Sequence, residues 1–346
     1  MRTLLQRIFK PFFTWLAARM TSAPDRKKVF ASLSALYKSL EQKHSKRGIV
    51  INTDLSTEKI IIFSDHHKGN KDSSDDFANN EPNYLAALAW YHSNNFKYIN
   101  LGDSEELWKY TPRQVIAKNV TALQEEAKFQ ASNSYLKTFG NHDLIWKNAL
   151  DVTIYLKDVF SLPLPVYEGI LLKSSVDGKP LTVYLTHGHQ GDTMSDNNAF
   201  STWMVAHLWQ PIQRYLRINI NTPAKDYTLR GKHNIMMYEW SSTKTGIILI
   251  TGHTHTPVFA SGRYNDHPNN LIAGPEAHKE TKENKPSYFN SGCCCYNDGD
   301  ITGIEISDGK ISLIKWHLDN GKSERFVLEE VSLATLVKDL YEVISH

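Results

Sequence analysis

The amino-acid sequence predicts an α/β fold, in which short buried strands alternate with helices. Two patterns support this prediction. The first is a set of short runs of β-branched and aromatic residues, typical of buried strands, at residues 59–63, 98–101, 135–139, 181–185 and 246–250. The second is a pair of longer segments between the first three runs, residues 83–96 and 113–132, which are predicted to be crossover helices.

Polar side chains of the kinds that bind metal ions follow each predicted strand. Polar groups at the carboxyl ends of strands in a layered α/β fold share one crevice, so these distant segments are expected to meet. One Gly-Asp pair alone would indicate only a capped turn, whereas five ordered segments predict a two-metal site that cleaves phosphoesters. The segments are Ser64-Asp65-His66-His67, Gly102-Asp103, Gly140-Asn141-His142-Asp143, His187-Gly188-His189 and Gly252-His253-Thr254-His255.

The donor types indicate which metals the site would hold. Carboxylate, imidazole and amide donors suit two divalent ions, with Mn²⁺ expected first and Fe, Zn or Mg as alternatives. The two oxygens of Asp103 could bridge ions roughly 3.5–4 Å apart, which would clamp the attacking and leaving oxygens of an in-line displacement. A water or hydroxide shared by the ions would attack, and His142 could protonate the leaving oxygen.

With these segments in place, the chain resembles the calcineurin-like metallophosphoesterase superfamily. The pattern of that family is Asp-x-His, Gly-Asp, Gly-Asn-His, a lone His and then Gly-His-x-His, and the likeness covers about residues 58–317. The resemblance implies a four-layer α/β/β/α sandwich of two facing mixed β-sheets flanked by helices, with a helical insertion in this chain.

The resemblance also implies a role for each matching residue. His142 would be the general acid or a stabiliser of the leaving group, and Asp103 would bridge the two ions. Outside the pattern, His189 is a candidate contact for the substrate phosphate, or else a support for a metal ligand. The implied ligands are Asp65, His67 and His255 for the first ion, and Asn141, His187 and His253 for the second.

The second motif narrows the resemblance to one branch. Protein phosphatases of the superfamily usually read Gly-Asp-x-Val-Asp-Arg-Gly there, which this chain does not. Its Gly-Asp-x-x-Glu-x-Trp pattern, which includes Glu106 and Trp108, is similar to the UDP-2,3-diacylglucosamine diphosphatases of lipid A synthesis. Those enzymes usually carry Arg where this chain has His142. Glu106 would orient a ligand or cap the following helix.

Three regions are predicted along the chain. Residues 1–47 would form N-terminal amphipathic and linker helices, residues 48–320 the metallophosphoesterase domain, and residues 321–346 a C-terminal helix. Residues 195–240 carry aromatic and Met residues at helical spacing, so they predict a helical insertion that packs on the core or forms a lid beside the metals. Residues 301–317 predict a β-hairpin.

The first 22 residues combine aromatic, aliphatic and basic side chains. A basic amphipathic helix with Trp and Phe is typical of a membrane-surface anchor, so residues 1–22 are expected to contact a membrane surface. The alternatives are packing on the domain, an oligomer contact and a signal peptide, of which the last is disfavoured because charges interrupt the apolar run.

Composition limits the partners and the compartment. The net charge of +2 disfavours a nuclease, and no stable nucleic acid partner is expected. The three consecutive cysteines at 293–295 favour neither a disulfide framework nor a zinc site, and are predicted to lie in a buried strand. Reduced cysteines indicate a cytoplasmic protein, peripheral on the inner face of the membrane if residues 1–22 bind there.

The sequence therefore predicts a metal-dependent phosphoester hydrolase that acts on a phosphodiester or diphosphate, such as a phosphorylated small molecule or a nucleotide-lipid. The alternatives are a nuclease or cyclic-nucleotide phosphodiesterase, and a metal-binding scaffold without turnover. The scaffold is disfavoured because every expected ligand and His142 are present.

Overall fold

The computed structural model describes residues 25–42, 45–161, 163–191, 227–260 and 285–342. The predicted membrane-contact segment 1–22 and residues 195–226 of the predicted insertion lie outside the described residues. In the parts of the chain that the structure describes, none of the helices combines the length and the hydrophobicity needed to span a bilayer.

The strands form two mixed sheets. The first sheet contains, in spatial order, β1 (Gly48–Asn52), β6 (Gly169–Val176), β7 (Lys179–Thr186), β8 (Ile247–Thr251) and β9 (Tyr288–Asn290). The second contains β12 (Lys322–Ser332), β11 (Lys310–Asp319), β10 (Ile301–Ser307), β2 (Ile60–Phe63), β3 (Lys97–Leu101), β4 (Tyr135–Thr138) and β5 (Val166–Tyr167). Strands β2, β3 and β4 run parallel to one another, and so do β7 and β8.

The helices cover the outer faces of the two sheets and one end of the core. They are α1 (Arg26–Glu41), α2 (Glu81–Ser93), α3 (Pro112–Lys118), α4 (Val120–Ala131), α5 (Ala149–Leu156), α6 (Tyr227–Ser242) and α7 (Leu333–Tyr341), with a 3₁₀ helix at Leu144–Lys147. The segment predicted as one helix over 113–132 is two helices, because the chain turns at Asn119, whose side-chain amide donates to the Gly69 carbonyl over 2.7 Å.

Side chains alternate across each strand and so define the layers. Ile62 of β2 and Ile250 of β8 lie in one apolar core between the sheets. Phe63 faces a second core with α2 and α4, and Leu249 faces a third with α1 and α6. The order is therefore helices, sheet, sheet, helices, and the predicted four-layer α/β/β/α sandwich is confirmed.

The N-terminal helix differs from its prediction. The linker helix predicted within residues 1–47 is α1, which packs on the five-stranded sheet as part of an outer layer rather than only joining two parts of the chain. Its apolar residues recur at three- and four-residue steps, which places them on one helical face. The buried side chains of that face are Val29, Leu33, Leu36 and Leu40.

The predicted hairpin over 301–317 is confirmed as β10 and β11, joined by Asp308-Gly309 with φ of 51° and 70°. The prediction of a helix over 321–346 is wrong for its first part. A second two-residue turn, Asn320-Gly321, has φ of 48° and 80° and begins β12, which pairs with β11. Helix α7 starts only at Leu333, where the Ser332 side chain caps it.

Two further segments differ from expectation. The cysteines at 293–295 lie in a loop after β9 rather than in a strand, although Cys293 and Cys294 are buried as expected. The last part of the predicted insertion, residues 227–240, belongs to α6. This helix packs on the five-stranded sheet through Met237 and Trp240.

Candidate metal centre

Five loops that begin at strand ends meet at one edge of the sandwich. The loops after β2, β3 and β4 come from one sheet, and those after β7 and β8 come from the other. Two glycines allow close approach there. A Cβ at Gly140 would lie 2.1 Å from Asp103 Oδ1, and a Cβ at Gly252 would lie 2.3 Å from Asp65 Oδ2. Any other residue at either position would displace a carboxylate of the site.

Five of the predicted ligands have left-handed backbone conformations. The φ angles are 53° at Asp65, 51° at His67, 48° at Asp103, 68° at His253 and 54° at His255. Non-glycine residues seldom adopt such angles, and those that do cluster at functional sites, where the surrounding structure stabilises them. Here the N–H of His67 donates to the carbonyl of Asp103 over 3.0 Å, which joins the first two loops.

The side chains predicted for the first ion lie together. His255 Nε2 is 3.2 Å from Asp65 Oδ1 and 3.1 Å from His67 Nε2. His67 Nε2 is also 3.8 Å from Asp65 Oδ1. This group, defined by Asp65, His67 and His255, is called the first cluster below.

The side chains predicted for the second ion lie next to the first cluster. His187 Nε2 is 3.2 Å from Asp103 Oδ2, and one ligand atom each from Asp103, His187 and His253 fall within 4.8 Å of one another. Asp103 Oδ2 is also 3.8 Å from His67 Nε2. Asp103 therefore lies between the two groups, where a bridging carboxylate would have to be.

The donor atoms of these residues fit divalent ions. Asp65 Oδ1, Asn141 Oδ1 and His187 Nε2 are buried and have no hydrogen-bond partner among the described residues. A buried polar atom without a partner costs about 1–3 kcal/mol. All three atoms can donate a lone pair, so bound cations would satisfy them together, as the predicted ligand set requires.

The electrostatics of the site also suit cations. Burial alone would lower the pKa of His187, but the carboxylates of Asp103 and Asp65 outweigh it and raise that pKa to about 9. Burial and Asp65 oppose each other in the same way at His255, whose pKa rises to about 9. Protons and metal ions compete for these nitrogens, so metal binding would release protons.

His142 is held by two neighbours. Its Nδ1–H donates to the Glu106 carboxylate over 2.9 Å, which leaves Nε2 as the ring nitrogen available to a substrate. The Trp108 indole stacks on its imidazole, and the Trp108 Nε1–H donates to the Asn141 carbonyl over 2.8 Å. Of the two roles expected for Glu106, the structure shows the orienting one: its carboxylate accepts from His142, and its Oε2 also lies 3.4 Å from Nδ1 of the predicted ligand His67.

The other histidines of the motifs have different surroundings. His66 faces away from the ligands, with its ring 4.8 Å from that of Tyr84 and its Nε2 3.1 Å from the Tyr98 hydroxyl. His189 is buried with its ring 5.5 Å from that of His187. Burial lowers the pKa of His189 to about 3, so its imidazole is neutral.

Three residues that position the site were not predicted from the sequence. Asp143 accepts the N–H of Ser104 over 2.8 Å and that of Gly140 over 2.6 Å, so one carboxylate ties the second and third loops together. On α6, His233 donates through Nε2 to the Gly188 carbonyl, and Asn234 accepts the Thr254 hydroxyl. Asp143 directly follows a predicted site residue, whereas nothing near His233 or Asn234 in the sequence signals their positions.

A buried network of ion pairs lies behind the second loop. Lys137 Nζ is 3.0 Å from Glu105 Oε2, and Lys68 Nζ is 2.6 Å from Glu126 Oε1 and 3.7 Å from Glu105 Oε1. Burial alone would raise the pKa of Glu105, but the two lysines lower it to about 2. Glu105 therefore stays charged and anchors the loop that carries Asp103.

Comparison with known families identifies the class of protein that this fold and site define. The family model described as calcineurin-like phosphoesterase matches residues 58–257, more than half of the chain. The chain therefore belongs to the calcineurin-like phosphoesterase family, whose members are metal-dependent phosphoester hydrolases with a dinuclear centre. A comparison with curated proteins finds no match.

Solved structures with a similar arrangement share little sequence with this chain. A dimetal phosphatase from Danio rerio is 8% identical, with a TM-score of 0.38, and the match covers 79% of this chain and 98% of that one. Vacuolar Protein Sorting 29 from Cryptosporidium parvum is 12% identical, with a TM-score of 0.33, covering 80% and 98%. Vps29 complexed with zinc from Entamoeba histolytica is 13% identical, with a TM-score of 0.30, covering 79% and 98%.

Proposed function

We propose that this chain hydrolyses a phosphodiester or diphosphate with two divalent ions, and that its substrate is a nucleotide-linked lipid or a similar phosphorylated molecule. The observation that carries the reaction is the His142 imidazole, fixed by Glu106 beside Asp103 and His67. One ligand atom each from His67, Asp103 and His142 fall within 4.8 Å of one another. A proton donor and metal-binding groups therefore share one site.

In this proposal the first cluster holds one ion, and Asn141, His187 and His253 hold the other, with Asp103 between them. Mn²⁺ is proposed ahead of Fe, Zn and Mg because oxygen and imidazole donors make up the set. When bound, the two ions supply Lewis-acid activation of the phosphoryl group and of water.

His142 would complete the reaction at the leaving oxygen. Glu106 holds Nδ1–H, so the proton on Nε2 is the one available for transfer. The same Glu106 carboxylate would stabilise a positive charge on the ring before transfer. The leaving oxygen would thus depart as a hydroxyl rather than as an alkoxide.

His189 is proposed to contact the phosphate of the substrate. Its Nδ1 is buried and has no hydrogen-bond partner among the described residues, so a ligand could use it. Lys147 lies close enough to act on the charge of His189, and its positive charge would favour a phosphate nearby. A neutral imidazole can donate one hydrogen bond to a phosphate oxygen.

The substrate class and the cellular site are proposed on sequence grounds. Glu106 and Trp108 match the pattern of the UDP-2,3-diacylglucosamine diphosphatases, and both contact His142. The basic and aromatic residues within 1–22 would bring the protein to an anionic membrane surface in the cytoplasm, where an amphiphilic substrate lies. Unchanged liposome sedimentation after deletion of residues 1–22 would contradict the membrane proposal.

Hydrolysis assays on metal-stripped protein test the proposed function. Bis-p-nitrophenyl phosphate, p-nitrophenyl phosphate and UDP-2,3-diacylglucosamine would each be assayed with Mn²⁺, Mg²⁺, Zn²⁺ or Ca²⁺ added back. We expect Mn²⁺ to restore turnover of the diester and the diphosphate, and Asp103→Asn to abolish it. Turnover of the monoester alone would overturn the substrate class, and stoichiometric metal binding without any turnover would favour a scaffold.

A further inference from the structure

The first cluster has a sulfur neighbour that the sequence did not predict. Cys295 lies in the loop after β9, and its Sγ is 3.5 Å from Nδ1 of His255. The Cys293 thiol lies within hydrogen-bonding reach of both His255 and Cys295. The back of the His255 ring therefore faces a pair of thiols, while its front, at Nε2, faces Asp65 and His67.

The loop that carries these thiols is fixed against the same cluster. The N–H of Cys294 donates to the Asp65 carbonyl over 3.2 Å, and the Tyr296 hydroxyl donates to the His255 carbonyl over 3.2 Å. The loop thus bonds to the backbones of two of the predicted ligands. The position of the Cys295 sulfur relative to His255 follows from these contacts.

His187 shows the same arrangement with a different acceptor. Its Nδ1–H donates to the Leu101 carbonyl over 2.9 Å. Its Nε2 is buried 3.2 Å from Asp103 Oδ2 and makes no hydrogen bond to any residue that the structure describes. A hydrogen bond at one ring nitrogen sets the tautomer and the orientation of the other. At His255 the atom in the equivalent place is the sulfur of Cys295 rather than a carbonyl oxygen.

We propose that Cys295, with Cys293 beside it, is a positioning residue whose sulfur accepts the Nδ1–H of His255 and keeps Nε2 directed at the first ion. The proposal rests on the proposed function only in that the site must bind metal. Unlike the Leu101 carbonyl, this acceptor is a side chain, so it can be removed by substitution without altering the backbone.

The test is a measurement of Mn²⁺ affinity, in which the electron paramagnetic resonance signal reports the concentration of free Mn²⁺. Loss of a hydrogen-bond partner of a metal-binding histidine typically weakens metal affinity about 10- to 100-fold. We expect Cys295→Ala to weaken one of the two sites about tenfold, because sulfur is a weak acceptor. Cys295→Ser should lose less Mn²⁺ affinity, since a hydroxyl can accept the same hydrogen bond from His255.

Cys294→Ala is the matched control, because it keeps the backbone N–H that bonds to Asp65 and changes only a side chain that lies in the apolar core. It should leave both Mn²⁺ affinities unchanged. Wild-type affinities in Cys295→Ala would overturn the proposal and leave the proposed function intact, whereas wild-type protein that binds no Mn²⁺ would overturn both.

Co²⁺ loading separates positioning from direct ligation. A sulfur ligand gives Co²⁺ an intense thiolate-to-metal charge-transfer band. A sulfur that only accepts a hydrogen bond from His255 does not give this band. We expect Co²⁺-loaded wild-type protein to lack this band and its ligand-field spectrum to change in Cys295→Ala. A charge-transfer band that disappears in Cys295→Ala would make Cys295 a ligand and overturn the positioning role.

Discussion

The imidazole of His142 stacks on the indole of Trp108, with ring centroids 3.9 Å apart and planes 18° from parallel. The same indole donates its Nε1–H to the carbonyl of Asn141, the residue before His142. One side chain therefore fixes both the ring of the proposed acid and the backbone of a predicted ligand. Trp108 is half-buried.

Substitution of Trp108 by Leu should lower kcat. A stacked aromatic pair contributes about 0.5–1.5 kcal/mol beyond its buried area, which corresponds to roughly a two- to tenfold loss of rate if the ring of His142 loses its position. Trp108→Phe is the matched comparison, because it keeps a stacking face and loses only the Nε1–H. We expect its kcat to lie between those of Leu and wild type. A Leu variant with wild-type kcat would show that stacking has no part in turnover.

The loss of kcat caused by removing the proposed acid, His142, should depend on the leaving group. General acid catalysis contributes about 10²- to 10⁴-fold, and it matters most when the leaving oxygen is basic. His142→Ala should therefore lose far more kcat on a phenyl phosphodiester than on the p-nitrophenyl analogue. Glu106→Gln should show the same trend with a smaller loss. Equal losses on both esters would assign His142 to binding rather than to protonation.

A surface substitution provides the control for His142→Ala and Glu106→Gln. Glu324→Gln removes an exposed carboxylate on β12 and should leave kcat unchanged on both esters. Thermal unfolding of all variants would check that they are folded.

Metal ions should stabilise the folded chain. An ion present at about 100 times its Kd stabilises the folded state by about 2.7 kcal/mol. Mn²⁺ should therefore raise Tm, and a chelator should reverse the rise. Asp103→Asn should largely remove this shift, whereas Asp319→Asn, an exposed substitution on β11, should keep it. An equal Mn²⁺-dependent shift in both variants would rule out Asp103 as a ligand.

The affinity for Mn²⁺ should increase with pH. The pKa values of His187 and His255 are raised to about 9 without metal, mainly because carboxylates outweigh the effect of burial. An ion must displace protons from these nitrogens, so its affinity should rise between pH 7 and about pH 9 and then level off. Calorimetry in two buffers of different ionisation enthalpy would count the released protons. Binding without proton release at pH 7 would contradict this assignment.

The buried Glu105–Lys137 pair should make stability depend on pH. The pKa of Glu105 is lowered from 4.5 to about 2 in the folded chain, so its contribution is present above about pH 4.5 and disappears as pH falls towards 2. Glu105→Gln leaves the buried Lys137 without its carboxylate partner, while Lys68 keeps Glu126, and should cost about 3–5 kcal/mol at pH 7. With a chelator present to remove metal ions, urea unfolding would be measured for wild-type protein and for Glu105→Gln. Their unfolding midpoints should converge as the pH falls from about 4.5 towards 2. A constant difference would contradict the lowered pKa.

The sequence predicted those parts of the site that follow from local order. Strand ends and donor types were enough to predict that Asp65, Asp103 and Asn141 lie at one edge, because the parallel strands β2, β3 and β4 carry their loops to the same side. It did not predict partners that meet only in three dimensions, such as His233 with Gly188 or Cys295 with His255. The Asn320-Gly321 dipeptide is a typical hairpin turn, but the apolar residues that follow it were predicted to belong to a helix rather than to β12.

The predicted ligands come from both sheets: Asp65, Asp103 and Asn141 follow strands of one, and His187, His253 and His255 follow strands of the other. His67 and His255, whose rings meet, are 188 positions apart in the chain. A nascent chain could not assemble this coordination sphere until β8 had been synthesised and docked. Ion capture would then be a late event in biogenesis and a reporter of completed folding, and a fragment ending before residue 247 would have lost two of the seven ligands.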